Sequence, residues 1–379
     1  MSIEEQVDAV LAGLPAIPRI LGLGEPTHWM EAFPLLRNQI FQHLVANHGY
    51  RAFALESDCL AGQVVNAYVV DGIGSLDEVM RDGFSHGFGE LESSRALVEW
   101  MRAYNETHPE PVRFFGFDGP LEITAAASPR QAITALNSYL GSPYTVDELL
   151  GADERWSNPD ATMDPTQSVG SSPDVERLRL IVDDLQGLLV ARTPRLIAES
   201  RDEWWSARLY GRTANGLLRY HQGMAWNSDA RIAHLMAIRD AMMAENLKAI
   251  AEYGKTFVNA HNRHLQRELS TLDFAGAVRE FWCAGAIVSA EVGDQYAFIA
   301  TGMGTAPNPN VGAPDPDTLE GYLSTLPGDS FVVRSADIDT TGLKPRTTGN
   351  FSYIPLDPAH VRDTDGILFV RNVPRLPFG

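Results

Sequence analysis

Three short apolar runs, each with an ionisable residue at or just beyond its end, constrain this fold most. The runs and their terminal residues are 19–23 with Glu25, 51–55 with Glu56, and 256–260 with His261. Buried parallel strands appear as short unbroken apolar runs, and their carboxyl ends share one edge of the sheet. A single such residue is often only a satisfied polar cap, but three in one chain favour a functional crevice.

Strand and helix patterns alternate along the first third of the chain. Helical patterns at residues 33–47, 60–70 and 94–105 follow or precede strand patterns, the last of them at residues 112–116. Strand patterns return late in the chain, at residues 256–260, 295–300, 330–334 and 366–370. This order predicts a doubly wound α/β core with a mainly parallel central sheet and flanking helices.

Between these two groups of strands the patterns are helical, at residues 129–139, 174–189, 194–220 and 227–253. We therefore predict a core made of residues 1–123 and 254–379, with residues 124–253 inserted as a helical subdomain over the cleft. Polar stretches at residues 151–174 and 304–317 predict loops, the first a surface loop or a mobile lid. A stripe of apolar residues predicts core packing on the insertion: Leu178, Leu180, Ile181, Leu185, Leu188 and Leu189.

The charge balance excludes several classes of partner. With 30 basic and 49 acidic residues, the net charge of -19 repels nucleic acid and anionic lipid. No apolar stretch reaches the roughly 20 residues that span a bilayer. Ser2 and Glu5 have capping-box spacing instead of the pattern of a signal peptide. Cys59 and Cys283 have no neighbouring ligand cluster, so we expect buried thiols in a cytoplasmic protein.

The segment Gly-Leu-Gly-Glu-Pro-Thr-His at residues 22–28 places a carboxylate and an imidazole three positions apart. Its glycines permit a tight turn, so Glu25 and His28 can face one cavity. Histidine is the usual base at neutral pH, and a nearby carboxylate orients its ring and stabilises its protonated form. The alternative is a capping glutamate beside an ordinary hydrogen-bonded histidine.

A second histidine cluster, His261 and His264, follows a strand pattern. If this segment is helical, His261, His264 and Glu268 share one face, which suits a metal ion. No HExxH motif and no paired-cysteine site accompanies them. We therefore predict no cofactor, with a divalent cation held by these histidines and glutamates as the alternative.

Arg37 lies on the helix that follows the first loop. The first turns of such a helix pack close to the strand ends, and a planar guanidinium suits a carboxylate. Arg37 is therefore predicted to clamp Glu25, Glu56 or a substrate oxygen. The alternative is an ordinary surface arginine.

Residues 83–87, Gly-Phe-Ser-His-Gly, match the GxSxG pattern of serine hydrolases. A nucleophile elbow must follow a buried strand, whereas residues 76–82 are polar and helix-like. We therefore predict that Ser85 and His86 line a cleft loop. The two glycines of residues 22–24 lack the third glycine of a dinucleotide fingerprint, and no P-loop is present.

In four segments that occur in order, the chain resembles the erythromycin esterase family. These are Gly-Glu-Pro-Thr-His at residues 24–28, Arg37, Phe-Ala-Leu-Glu at residues 53–56, and Ala-His-Asn-Arg-His at residues 260–264. Further family-like stretches lie at residues 66–69, 100–105, 112–118 and 239–246. The resemblance therefore covers most of the chain.

This resemblance implies hydrolysis of a macrolide lactone by activated water, with His28 as general base and without a covalent acyl-enzyme. It implies that Glu25 and Glu56 orient and tune the base. It also implies that His261 or His264 assists the leaving group or the oxyanion. Such a base contributes about 10² to 10⁴ in rate.

Two departures from the family pattern touch the predicted cleft. Trp29 stands where relatives commonly carry glycine, and Gly-Phe-Gly-Glu at residues 87–90 replaces a usual aromatic pair. We expect Trp29, Ser85, His86 and Asp118 to contact the substrate, a small molecule that is bulky and largely apolar. Aromatic residues of the insertion can line the cleft or pack internally: Trp204, Trp205, Tyr210, Tyr220 and Trp226.

Three functions are consistent with these patterns. The first is a hydrolase that opens a macrolide or another cyclic ester and so inactivates an antibiotic. The second is a biosynthetic tailoring enzyme that uses the same His/Glu site for dehydration, cyclisation or acyl transfer on a polyketide-like product. The third is a binding module that sequesters its ligand without converting it.

Overall fold

The computed structural model describes residues 1–122, 125–274, 276–306, 311–350 and 352–374. In chain order its strands are β1 (Ile20–Glu25), β2 (Tyr50–Asp58), β3 (Arg113–Asp118), β4 (Leu121–Glu122), β5 (Ala125–Ala126), β6 (Lys255–His261), β7 (Ser270–Phe274), β8 (Ala277–Phe281), β9 (Tyr296–Thr305), β10 (Ser330–Arg334) and β11 (Gly366–Asn372). Its helices are α1 (Ile3–Ala12), α2 (Ala32–His48), α3 (Gly62–Asp71), α4 (Leu76–Asp82), α5 (Glu92–Thr107), α6 (Arg130–Tyr139), α7 (Asp147–Leu150), α8 (Pro173–Glu199), α9 (Arg201–Met224), α10 (Arg231–Ile250), α11 (Asn262–Leu265), α12 (Ala284–Val292) and α13 (Leu319–Leu323).

The main sheet has the strand order β10-β11-β9-β1-β6-β2-β3. Every neighbouring pair is parallel except β10 and β11, which are antiparallel. This confirms the predicted α/β class with a mainly parallel sheet. Because β1 has β6 and β9 as its neighbours, the two ends of the chain meet at the centre of the sheet.

Helices cover both faces of the sheet, as the alternation of side chains along β2 requires. Phe53 and Leu55 pack into one core with residues of α2, α3 and α5. Ala52 and Ala54 face the other core, with residues of α10 and α12. All six residues of β1 are buried, and the one ionisable residue of this strand, Glu25, stands at its carboxyl end.

The long helices between β5 and β6 differ from the prediction at one point. Pro194, expected near the start of a helix, lies inside α8. The break falls later, at Ser200, whose Oγ accepts a hydrogen bond from the backbone nitrogen of Glu203 at 3.2 Å and so caps α9. The predicted apolar stripe is also narrower, because Leu180 is 60% exposed.

The two predicted loops differ in what the structure describes. Residues 151–174 form a series of short 3₁₀ turns, and Trp156 within them is buried with its Nε1 donating to the carbonyl of Leu150 at 2.8 Å. Most other residues of this stretch are exposed or half-buried, so it is a surface loop, the first of the two predicted alternatives. Residues 307–310 of the second loop lie outside the described residues, as does the predicted boundary at residues 123 and 124.

Smaller predictions also have their outcome here. Ser2 and Glu5 form the predicted capping box at α1. Cys59 and Cys283 are buried, unpaired thiols. Within the described ranges, no helix has the length and apolar character that crossing a membrane requires.

Candidate active site

The candidate site lies at the carboxyl ends of β1, β2 and β6. The parallel register places Glu25 beside His261, while Glu56 continues β2 next to them. Gly24 is needed for this close approach, because a Cβ there would lie 2.0 Å from Oδ1 of Asn262. The strand-end residues predicted from sequence are therefore neighbours in the structure.

His28 lies in the loop after β1, between two carboxylates. Its Nδ1 is 2.5 Å from Oε1 of Glu25, and its Nε2 is 3.8 Å from Oε2 of Glu56. The side chain is 22% exposed, so one part of the ring is accessible. Burial alone would lower the pKa of His28, but Glu56 and then Glu25 raise it above its usual value.

Glu56 is buried among hydrogen-bond donors. Its Oε2 accepts from the backbone nitrogen of His261 at 2.8 Å. Its Oε1 is 3.2 Å from Nε2 of His264 and 3.3 Å from Nη2 of Arg239. Burial would raise the pKa of Glu56, but the charges of His264, His28 and Arg239 lower it well below its usual value. Glu56 is therefore ionised at neutral pH.

The two histidines of the second cluster have opposite electrostatics. His264 bridges Glu56 and Asp240, the latter at 2.8 Å, and although burial acts to lower its pKa, these carboxylates raise it to about 10. Burial lowers the pKa of His261 to about 3. The ring of His261 contacts backbone groups through both nitrogens, the carbonyl of Pro26 and the nitrogen of Arg263, each at 3.2 Å.

Arg239 on α10 forms the buried ion pair that was predicted for Arg37. Its Nε lies 3.0 Å from Oδ2 of Asp118, and its Nη2 binds both Asp118 and Glu56. Burial would raise the pKa of Asp118, but Arg239 and His86 lower it. This arginine therefore links the carboxylates at the ends of β2 and β3.

The predicted clamp by Arg37 is not formed. Its guanidinium donates to Oδ1 of Asn38 at 2.9 and 3.1 Å and to Oδ1 of Asn259 at 3.3 Å, and it lies 5.3 Å from the ring centroid of Phe53. Arg37 is fully buried instead of lying at the surface, and burial lowers its pKa to about 10. It packs beneath the site without a direct contact to Glu25 or Glu56.

Trp29 and His86 meet at the rim of the site. They are the non-glycine residues of the described chain with positive φ, 60° and 55°. Nε1 of Trp29 donates to the carbonyl of His86 at 2.7 Å. In the His86 ring, Nε2 lies 3.2 Å from Oδ2 of Asp118 and Nδ1 lies 2.8 Å from Oε2 of Glu122. Burial acts to lower the pKa of His86, but these two carboxylates raise it to about 9. Such strained backbone concentrates at functional sites.

Ser85 differs from the prediction that it lines the cleft. Its Oγ accepts from the backbone nitrogen of Asp58 at 2.8 Å, and its backbone nitrogen donates to Oγ of Ser57 at 2.9 Å. Both contacts hold the loop to the end of β2. Asp118 is also fully buried and reaches the site only through His86 and Arg239.

A cavity of about 350 Å³ opens above these groups. Its ionisable lining residues include His28, Glu56, Arg239, His261 and His264. Its walls carry apolar and aromatic side chains, with Trp29 at the rim: Tyr220, Ile232, Leu235, Met236, Leu272, Phe274, Phe281 and Ile354.

The aromatic residues expected to line this cavity are divided by the structure. Tyr220 lines it, whereas Trp205 and Tyr210 line a different cavity. Trp204 packs against Arg208, and Trp226 packs against His234. Four of these side chains lie on different faces of α9, and Trp226 lies beyond its end. The helical pattern in the sequence did not distinguish these faces.

The expected metal face of His261, His264 and Glu268 is also not formed. Helix α11 ends at Leu265, so Glu268 lies beyond it. In the described part of the chain, Glu268 groups with His360 and Asp363, and a second metal-compatible group consists of Asp8, His43 and His48. The nitrogens of His264 are already directed at carboxylates.

Sequence reasoning did not assign roles to Arg239, Asp240 and Glu122. The only available signal was the Arg-Asp pair at residues 239–240, which lies within a family-like stretch on a helix. Arg239 is separated from its partners Asp118 and Glu56 by 121 and 183 residues along the chain. Only the packing of α10 over the strand ends reveals these contacts.

The chain is similar to known proteins in both sequence and fold. The erythromycin esterase family model matches residues 45–373. Over 102 residues the chain is 32% identical to erythromycin esterase type II of Escherichia coli, which covers 27% of this chain and 24% of that relative. The alignment therefore spans about a quarter of the relative's length.

Solved structures share the fold over nearly the whole chain. A Bacillus cereus protein has a TM-score of 0.73 at 17% identity, covering 98% of this chain and 92% of the other. A mutant of the erythromycin esterase EreC in its open conformation has a TM-score of 0.70 at 19% identity, covering 98% and 95%. A succinoglycan biosynthesis protein has a TM-score of 0.64 at 17% identity, covering 97% and 90%.

The structural likenesses establish the common fold, and the family model spans all residues from β2 to β11. This match confirms the resemblance seen in the sequence, and three of its four segments, residues 24–28, 53–56 and 260–264, meet at the strand ends. The chain belongs to the erythromycin esterase family.

Proposed function

We propose that this chain hydrolyses a carboxylic ester, with a macrolide lactone or a related cyclic ester as substrate and His28 as the base that activates water. One observation carries the proposal: His28 is held through Nδ1 on Glu25, while its Nε2 lies on the Glu56 side of a partly apolar cavity. The family and the names of the relatives support an ester as the substrate class.

The proposed reaction begins with proton transfer from water to Nε2 of neutral His28. The resulting hydroxide attacks the ester carbonyl, and the imidazolium lies between the negative charges of Glu25 and Glu56. When the tetrahedral intermediate collapses, Nε2 of His28 returns the proton to the leaving alkoxide. Ester and water thus give a carboxylic acid and an alcohol, without a covalent enzyme intermediate.

Arg239 is proposed to stabilise the negative oxygen of the tetrahedral intermediate. Its Nε and Nη2 are bound to Asp118 and Glu56, which leaves Nη1 for the ligand on the cavity wall. Protonated His264 adds positive charge behind Glu56. Both ring nitrogens of His261 contact backbone groups. Because the backbone nitrogen of His261 donates to Glu56, His261 is assigned the role of positioning this carboxylate.

The cavity walls support a bulky and largely apolar ligand. The cavity lining combines ionisable groups with apolar and aromatic side chains, as expected for an ester with a hydrophobic body. Trp29, 52% exposed at the rim, is proposed to contact this body. Its indole direction is fixed by the hydrogen bond to His86.

The experiment is incubation of the purified protein with a panel of macrolides and smaller lactones, followed by mass spectrometry. The proposal predicts a product heavier by one water, and loss of nearly all turnover in His28→Gln with an unchanged circular dichroism spectrum. His43→Gln is the matched control, because His43 contacts Asp8 in a similar way on the other side of the molecule. Undiminished turnover in His28→Gln would refute the role of His28, and a product lighter by one water would favour the tailoring reaction.

A further inference from the structure

A second cavity, of about 470 Å³, lies at the edge of the main sheet beyond β3. It is enclosed by β3, α3, the first half of α9 and the end of α10. Among the residues that the structure describes, the linings of this cavity and of the catalytic cavity have no member in common. We call it the edge cavity.

Arg212 of α9 lines the edge cavity and forms no ion pair with any described residue. Its Nε donates to Oδ1 of Asn246 at 3.1 Å, while its Nη2 is buried and has no hydrogen-bond partner in the described chain. Arg208, one turn earlier on the same helix, instead binds both oxygens of Glu252 at 2.6 and 2.8 Å. Glu252 therefore neutralises Arg208, whereas Arg212 has no comparable ion pair within the described chain.

A second unpartnered donor lies beside Arg212. Trp205 is 7% exposed, and its Nε1 is buried without a hydrogen-bond partner among the described residues. The Arg212 guanidinium carbon lies 5.6 Å from the Trp205 ring centroid. Phe115 and Tyr253 contact the same indole, at centroid distances of 5.5 and 4.5 Å. The donors are thus surrounded by aromatic surface.

Burial of a guanidinium without a counter-charge is unfavourable, and so is an unsatisfied indole N–H. Burial and then the neighbouring charge of Arg208 lower the pKa of Arg212 to about 10, although the more distant charges of Glu245 and Glu252 act to raise it. The acidic residues that line the cavity, Asp71, Asp202 and Glu203, are exposed at its rim. Asp202 is also engaged with Arg113 at 3.3 Å.

We propose that the edge cavity binds a small organic monocarboxylate with an aromatic or apolar body. The carboxylate accepts hydrogen bonds from Arg212 and from the indole of Trp205, and the body packs on the aromatic walls. The acidic rim disfavours ligands with several negative charges. This site is separate from the proposed hydrolysis and does not depend on it.

Benzoate is the probe, and benzamide is its neutral isostere. Calorimetric titration is expected to show one benzoate per chain, and benzamide is expected to bind at least about tenfold more weakly because it lacks the charge. Arg212→Met is expected to weaken benzoate binding about tenfold or more, and Trp205→Phe about two- to tenfold. Arg208→Gln, the matched control, is expected to retain the affinity.

The stability of the unliganded protein supplies an independent readout. Arg212→Met removes an unpaired buried charge, so its Tm without benzoate is expected to be at or above that of the wild type. Benzoate is expected to raise the Tm of the wild type but not that of the variant. Absence of benzoate binding would overturn the proposal, and so would full affinity in Arg212→Met. Loss of binding in Arg239→Gln would place benzoate in the catalytic cavity and likewise contradict it.

Discussion

Replacing Glu25 with glutamine removes one negative charge from the 2.5 Å contact with Nδ1 of His28 and retains an acceptor oxygen of similar position. In the proposed reaction, His28 becomes an imidazolium in the transition state, so this contact is strongest at that point. A hydrogen bond to a charged group contributes about 1.5–3 kcal/mol and a neutral one about 0.5–1.5 kcal/mol, so the exchange should cost about 1–1.5 kcal/mol, or roughly 5- to 13-fold in kcat/KM. The assay is steady-state hydrolysis of the best ester of the panel.

The pH profile of Glu25→Gln gives a second, independent result. Glu56 and Glu25 both raise the pKa of His28, and the base acts when it is neutral, so activity is expected to rise with pH through a value above 6.5. Without the charge of Glu25 that pKa falls, and the acidic limb of the profile moves to lower pH. Glu56 retains part of the effect.

The matched control is Asp8→Asn, which removes a carboxylate from His43 and His48 at the opposite end of the molecule. Its kcat/KM and pH profile are expected to equal those of the wild type. If Glu25→Gln also retained the wild-type rate and the wild-type acidic limb, Glu25 would not act on the base. The reasoning from the 2.5 Å contact would then be refuted.

Four further outcomes are expected. Arg239→Gln should lower kcat by about 10²- to 10³-fold if Arg239 stabilises the oxyanion, measured with the same ester; a smaller loss than threefold would contradict this role. Arg37→Gln should instead lower the free energy of unfolding in urea by about 1–3 kcal/mol, because its buried hydrogen bonds are lost. The stabilisation from His86 and His264, whose folded-state pKa values are raised to about 9 and about 10, is fully present below pH 6.5 and should be lost as pH rises through 9 to 10, seen as a falling urea midpoint. Hydrolytic activity should survive dialysis against EDTA. If dialysis abolished the activity and zinc or manganese restored it, a metal-dependent mechanism would replace the metal-free one.

The strands and the strand-end residues could be predicted because both depend on local sequence. Unbroken apolar runs identify β1, β2 and β6, and parallel strands place their carboxyl ends together whatever the details of the packing. Glu25, Glu56 and His261 are accordingly neighbours. The Glu25–His28 contact also follows from a short, local spacing.

The arginine that binds Glu56 could not be chosen from sequence. Arg37 and Arg239 both lie on helices near the strand ends, and only the helix rotation and the neighbours Asn38 and Asn259 decide that Arg37 turns away. The same limit applies to the aromatic residues of α9. A helical stripe shows which residues are apolar, but not which of two cavities each face lines.

The most direct test of the central claim is a double-mutant cycle on the glutamate and histidine of the first loop. If Glu25 acts only through His28, then adding Glu25→Gln to His28→Gln should change the residual rate less than about twofold, because the two residues act as one unit. The same Glu25→Gln change in the wild-type background should cost roughly 5- to 13-fold. Equal losses in both backgrounds would show that the two residues act independently, which would contradict the proposed site.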